Sequence, residues 1–452
     1  MTPIVENCLL AFCAGVASVG YGSGLAWFLR IRPNLGDHGI LGLLVVGFLG
    51  CILHFAVALS TLVQAIVLAG GVMIAIASWR DTRSHASLGL AAVAGLCIFV
   101  LLHRQAQGNY DLGLYYLQAF EWNRQFPVVA GLGNLHGRLA FNSILFLIAP
   151  LTDRIESGWV TNLLVTTFVM LSLWSRLRQL DASDHRDRTQ YWFLALAILV
   201  VVLRSSGLGI LTADAIVVML VVYWVALALG LSRAEDQRTV FALLTTSAVL
   251  AAVVKISTAP LVILTMVLYW FHRKEESLGA ARVWAFAGVV LTAWILHGVF
   301  LSGCAVYPVS PTCFPELPWA VSLQQAADEA MAIKAWARQP FEADFARVLQ
   351  DWSWFLPWLK KASNYRVMAF LLVGIALGAA ALVFAGAKSE RQSRDLVVAS
   401  AGLAVCVAFW FWSAPDVRFG LGFILAASLV GFSVAARRGC INRSFIRTHL
   451  ES

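Results

Sequence analysis

About thirteen long apolar runs constrain this chain more than any other feature. They lie near 5–28, 39–58, 61–79, 86–103, 159–175, 191–204, 209–231, 239–256, 259–272, 283–301, 367–386, 396–413 and 419–436, each bounded by charges or turn residues. An α-helix needs about 20 predominantly apolar residues to cross the hydrocarbon core of a bilayer. One water-surrounded core could not absorb so many such runs. Composition agrees: 60% of the 452 residues are hydrophobic and 13% are charged, against roughly 25% charged in a soluble domain. A soluble enzyme, a disordered chain and a fibrous chain are excluded. The expected fold is an all-α polytopic membrane protein with about thirteen transmembrane helices.

Lys and Arg set the expected orientation. Twenty of the 33 fall in one set of alternate short connections and the C-terminal tail, at 30–32, 80–83, 176–188, 233–238, 273–282, 388–394 and 437–447. The positive-inside rule puts that set in the cytoplasm, with the N-terminus outside and the C-terminus inside. Met1 to Leu29 has no basic n-region and no small-residue cleavage site, so it is expected to be a retained span. The net charge of +8 reflects these loops. A nucleic-acid binder would gather its cations on one soluble face, so no nucleic-acid partner is expected.

The parity holds only if 139–151 does not cross. That run has 13 residues and contains Asn142 and Pro150. Residues 104–158 then form one outer-face loop, expected to hold two short interfacial helices near 111–124 and 138–151. Tyr110, Tyr115, Tyr116, Phe120 and Trp122 suit the headgroup zone. A second outer segment, 302–366, carries Pro308, Pro311, Pro315 and Pro318, a helical stretch near 321–350 and the cluster Trp352, Trp354 and Trp358. It is expected to be a small periplasmic cap. Residues 1–85 add N-terminal helices, 86–301 form the core, and 367–452 hold the last helices and a basic tail. Most of the eight cysteines read as inert apolar fillers. Cys304 and Cys313, both in the cap, are either a disulfide, if the outside is oxidising, or two free thiols.

Polar residues cluster on the expected outer side: Tyr110 and Asp111, then Glu121, then Gly131-Leu132-Gly133-Asn134-Leu135-His136-Gly137-Arg138, then Asn142. Ionisable groups at a membrane boundary are costly unless paired or used. Asp111 is either a helix N-cap or a general base that takes a proton from an acceptor hydroxyl. The glycine-rich stretch is either a plain loop or a cradle of backbone N–H groups which, with His136 and Arg138, holds a phosphate. A nucleotide P-loop is rejected, because no Walker lysine or βαβ pattern accompanies it. Asp214 either caps a span or faces the same site. Lys255 either snorkels or neutralises a phosphate oxygen. Asp416 and Arg418 either pair with each other or join the site.

This layout resembles the GT-C superfamily of polytopic glycosyltransferases, and also a group of bacterial membrane proteins that share the stretch from Tyr110 to Ser143. The family has a span, a long outer loop with an acidic residue near its start, two juxtamembrane helices and a second core span. Here those would be 86–103, Asp111, 111–124 with 138–151, and 159–175. Asp214 matches a family Asp at the outer start of a later span. Lys255 to Pro260 looks like a looser Lys-x-x-Pro turn, and Arg418-Phe419 like an Arg-aromatic pair. One Asp stands where the family usually has an acidic pair, since Leu112 follows Asp111.

The resemblance implies an inverting transfer of a sugar from a polyprenyl-phosphate donor to a glycan or lipid acceptor at the outer face of a bacterial inner membrane. Asp111 would be the base. Lys255, Arg138, His136 and Arg418 would hold the departing phosphate, with Tyr110, Tyr116, Glu121, Asn134, Asn142, Asp214 and Asp416 lining the substrate. It implies no organic cofactor and leaves a divalent metal open; one carboxylate with one His is too few to argue a metal site. Two other classes remain: an oligosaccharide polymerase or ligase using a lipid pyrophosphate, and a transporter. A transporter calls for ionisable or helix-breaking residues deep in its spans, whereas here polar residues are expected to gather at one face.

Overall fold

The computed structural model describes residues 3–78, 110–154, 159–179, 211–231, 234, 236–272, 279–384 and 390–437, which are helical without any strand. The helices before the cap are α1 (Pro3–Leu29), α2 (Leu35–His54), α3 (Thr61–Ala77), α4 (Leu117–Gln125), α5 (Leu145–Thr152), α6 (Val160–Gln179), α7 (Ala213–Gly230), α8 (Gln237–Val254), α9 (Pro260–His272) and α10 (Gly279–Ser302). The cap and C-terminal helices are α11 (Leu323–Arg338), α12 (Phe345–Gln350), α13 (Phe355–Lys360), α14 (Ala362–Phe384), α15 (Glu390–Ser413) and α16 (Val417–Arg437). Among described residues six helices, α1, α2, α6, α7, α8 and α10, are long and apolar enough to cross a membrane, and shorter apolar stretches lie in α3, α9, α14, α15 and α16. The expected spans at 86–103 and 191–204 fall outside the described residues, as do most of the 180s basic segment and the tail beyond 437.

Contacts sort the helix termini into two ends. At one, Arg238 donates to the Leu29 carbonyl at 2.7 Å, Arg282 to the Phe28 carbonyl at 3.3 Å, and the Arg32 N–H to Thr239 at 3.0 Å. Arg176 meets Asp37 there at 2.9 Å. This is the basic end. At the other, the loop end, Arg124 reaches Thr61 at the start of α3, Ser143 donates to the Val254 carbonyl closing α8 at 2.7 Å, and Arg338 donates to the Trp412 carbonyl near the end of α15 at 3.0 Å.

Small residues let α1 lie hard against α2. A Cβ built on Gly42 would stand 1.6 Å from the Ser18 carbonyl oxygen, and close backbone approach through small side chains is how membrane helices gain contact without a hydrophobic driving force. Gly42→Leu is expected to force the pair apart at a cost of about 3 kcal/mol, the upper range for overpacking. Its thermal unfolding midpoint in detergent should fall well below that of Gly288→Leu, where an added Cβ meets nothing within 4 Å.

The first loop departs from the expected pair of interfacial helices. A π-helical turn, Leu112–Tyr116, leads into α4, close to the expected 111–124. The second helix is shorter and packed inside the protein. Residues 137–140 form a 3-10 turn, and α5 starts only at Leu145, with all eight of its residues buried. Two polar features explain this. The Asn142 side chain is drawn to α10, which breaks the helix before 145. Pro150 lacks the N–H that would bond the Phe146 carbonyl, and the Asn123 amide donates to that carbonyl instead, at 2.8 Å. A buried Asp153 then caps α6 from a distance, accepting from the Thr161 N–H at 3.0 Å and its hydroxyl at 3.2 Å.

In the 302–366 segment Cys304 and Cys313 form a disulfide, the alternative that spacing alone left open. The expected helical stretch is split into α11 and α12 by residues 339–344, with Phe341 at φ +67°. The tryptophans form one aromatic cluster against α15. Trp358 is buried and donates to the Pro415 carbonyl at 2.7 Å, and Trp352 stacks on Trp354 with centroids 5.5 Å apart.

Candidate functional site

Five charged side chains from four separate elements converge at the loop end. Asp111 directly precedes the π-turn. It makes no capping bond, which overturns the N-cap alternative. Its carboxylate instead meets the Arg418 guanidinium, Nη1 to Oδ2, at 3.2 Å. π-Bulges re-aim side chains and recur at functional positions. Arg418 lies in the first turn of α16, which Asp416 caps by accepting the Arg418 N–H at 2.9 Å. The other Asp416 oxygen is 3.4 Å from Arg418 Nε. The two therefore do pair with each other, and Arg418 also spans to Asp111.

Lys255 follows the last residue of α8 in extended backbone. Its ammonium donates to the Asp214 carboxylate. Thr212, not Asp214, caps α7, accepting the Asp214 N–H at 3.3 Å. The Phe419 ring joins the two halves of the cluster. Lys255 Nζ lies 3.8 Å from its centroid, and Arg418 Cζ lies 5.4 Å from it. Asp111, Asp214 and Asp416 all act electrostatically on Arg418. Among the described residues the cluster holds three carboxylates and two cations.

Tyr115 and Tyr116 floor this cluster, stacked at 4.5 Å. Burial pushes the Tyr115 phenol up to about 12, reinforced by Asp111 and Asp214 and opposed by the Tyr116 hydrogen bond and by Arg138. Burial likewise raises Tyr116, whose hydroxyl accepts the Ala213 N–H at 3.4 Å. Both remain neutral phenols, so they contribute shape and hydrogen bonds but no charge.

The remaining candidates are placed elsewhere. Arg138 Cζ is 5.9 Å from the Tyr115 ring centroid, yet its ion partner is Glu329 of α11, at 2.8 Å. It links the loop to the cap. His136 accepts the Arg138 N–H at 3.1 Å, and Asn134 donates to the Trp319 carbonyl at 2.9 Å. Five of the eight N–H groups in the glycine-rich stretch, those of Gly131, Leu132, Asn134, Leu135 and Arg138, are taken up internally. Gly131, at φ +74°, supplies the turn. Glu121 accepts from Gln125 on its own helix at 2.7 Å and joins no cluster, and Tyr110 is exposed. Among the described residues no three His, Cys, Asp or Glu side chains gather as metal ligands.

Two further polar centres were not expected from sequence. Asn142 belongs to a buried network with His54 and His297. At the basic end, Asp37 is buried and accepts from Ser172 at 2.6 Å, Tyr223 at 2.8 Å, Arg176 at 2.9 Å and the Asn34 N–H at 3.2 Å. Polar residues therefore do not gather at one face alone. Single histidines inside apolar runs, at 54 and 297, were the available signal. Asp37 was masked by its place beside a turn.

Neither a curated protein nor a solved structure matches this sequence. One family model does, over residues 8–425, and the chain accordingly belongs to the family described as a domain of unknown function, DUF8201.

Proposed function

We propose that this protein is a membrane glycosyltransferase that moves a sugar from a polyprenyl-phosphate donor to a glycan or lipid acceptor. The observation that supports it is the gathering of Asp111, Asp214, Asp416, Lys255 and Arg418 about Phe419, from positions up to 307 residues apart. Asp111 accepts the proton of the acceptor hydroxyl. The freed oxygen attacks the anomeric carbon, and the bond from that carbon to the phosphate oxygen breaks. Its electron pair leaves on the phosphate, where Lys255 and Arg418 oppose the developing charge. In this reading the cap's role is to hold the acceptor and exclude water. With thirteen spans and the basic end in the cytoplasm, the site faces the periplasm of a bacterial inner membrane.

The direct test is the purified chain in proteoliposomes with labelled polyprenyl-phosphate hexoses and membrane glycan acceptors. Label should pass to the acceptor with release of polyprenyl phosphate. Label that stays on the lipid across the donor panel would sink the proposal. Lys255→Met is expected to raise the donor concentration needed for half-maximal rate about tenfold, the equivalent of about 1.4 kcal/mol. An unchanged donor dependence would remove Lys255 from the phosphate.

Transport is a second reading, favoured by the buried Asp37 and the His54–His297 pair within helices. Solute flux into the same proteoliposomes, independent of any lipid-linked sugar, would support it over transfer.

A further inference from the structure

His54, the last residue of α2, and His297, in α10, are both buried. Their rings meet through His54 Nδ1 and His297 Nε2, 3.0 Å apart. The second nitrogen of each ring has a partner too. His54 Nε2 is 3.0 Å from the Phe126 carbonyl oxygen, and His297 Nδ1 is 2.8 Å from Asn142 Oδ1. The Asn142 amide is oriented independently of the histidines. Its Nδ2 donates to the Trp294 carbonyl, so Oδ1 is the atom that faces His297.

A hydrogen count follows from these partners. Carbonyl and amide oxygens only accept, so His54 Nε2 and His297 Nδ1 must each carry a hydrogen. A neutral imidazole has one ring hydrogen to place. With both placed outward, two lone pairs would face each other across 3.0 Å. Three contacts need three hydrogens, and two neutral rings supply two. We propose that His54 and His297 bind one additional proton, shared between His54 Nδ1 and His297 Nε2, and that this proton fastens α2 and α10 to the 126–142 loop.

The surroundings define what the proton faces. Just past α2 the pair meets the Phe55 ring, edge-on to His297 at 5.8 Å. From α10 it meets no other titratable group, and from the loop it meets only the Phe126 carbonyl and Asn142. No carboxylate, Lys or Arg contacts either ring among the described residues. The charge is therefore held by acceptor dipoles. A small cavity beside His297 is lined by Asn123, Asn142 and Ser143 and otherwise mainly by apolar side chains. Burial costs the cation its hydration, and opposed lone pairs cost the neutral pair its contact. The balance between them makes the site responsive to pH.

The consequence lies in the loop. Phe126 and Asn142 flank the segment that carries Arg138 to the Tyr115 ring and to Glu329 of the cap. With the proton bound, both flanks are held. As pH rises through the pair's titration the proton is lost and both flanks loosen. This holds whether the protein transfers sugars or not.

The test uses the full-length chain with ¹⁵N-labelled histidine rings in lipid nanodiscs, titrated between about pH 3 and 8, a range that reaches well below ordinary imidazole titration because burial costs the cation its hydration. His54→Gln and His297→Gln assign the pair among the nine histidines. At the acid end all four ring nitrogens of the pair should be hydrogen-bearing or hydrogen-sharing, and one proton should leave as pH rises. A bare, unprotonated nitrogen from the pair at the acid end would overturn the proposal. If the glutamine variants fail to fold, Asn142→Asp identifies the pair by the signals it displaces. That variant sets a carboxylate beside His297 and should hold the proton to higher pH by about one unit. Backbone hydrogen exchange over 126–142, corrected for intrinsic rate, should rise with pH in the wild type and do so later in Asn142→Asp. Exchange independent of pH in both would likewise overturn it.

Discussion

Replacing Asp111 with Asn is expected to lower sugar transfer by about 10²–10⁴-fold, the range that a positioned general base contributes, while the protein still folds. The amide keeps the size of the side chain, and Oδ1 of the Asn can still accept from Arg418. Only the capacity to take a proton is lost. Arg418 retains Asp416, at 3.4 Å and through its own N–H at 2.9 Å, so the α16 cap survives. The comparison variant is Asp328→Asn in the cap, whose carboxylate accepts from Gln324 on its own helix and whose transfer rate should stay within about twofold. Initial rates at saturating donor, normalised to monodisperse protein, check this. Full activity in Asp111→Asn would remove the base, and with it the mechanism.

Asp37→Ala is expected to have the largest effect on stability, about 3–5 kcal/mol, the cost of breaking a buried ion pair by deleting one partner. The carboxylate joins three helices: its own α2, Ser172 and Arg176 on α6, and Tyr223 on α7. It also completes a capping box with Asn34. Its deletion takes this carboxylate away from the Arg176 guanidinium, which is 17% exposed. The thermal midpoint in detergent should fall by roughly 5 °C or more. Adding Arg176→Met to Asp37→Ala should recover part of the loss, because replacing both members of a buried pair costs less than deleting one. A double variant no better than the single would show that the hydroxyl bonds, rather than the charge pair, hold this end together.

Much of the bundle was legible because a bilayer-length apolar run permits few structures. The alternation of basic connections agreed with the contacts that bring Arg32, Arg176, Arg238 and Arg282 to one end. The loop helices were harder. Residues 139–151 form an apolar run, and nothing local shows that Asn142 turns to α10 or that Asn123 satisfies the carbonyl freed by Pro150. The same blindness applied to the glycine-rich stretch. Its composition is that of a phosphate cradle, but five of its eight amides are consumed by Val129, Gly131, Leu132, His136 and Phe300.

Among the charged residues, sequence position marked Asp111, Asp214, Lys255, Asp416 and Arg418 as costly at a membrane boundary, and placed them on a common side. It could not pair them. Charge costs and apolar run lengths are properties of a segment, and the chain alone determines them: a helical membrane protein, with the described basic connections of its first ten helices at one end. Pairing is a property of distance. Only the packed helices decided that Arg418 would take Asp111, that Lys255 would take Asp214, that Arg138 would leave for Glu329, and that two histidines 243 residues apart would face each other. A hydrogen bond depends on ångströms in space and carries no trace of separation along the chain.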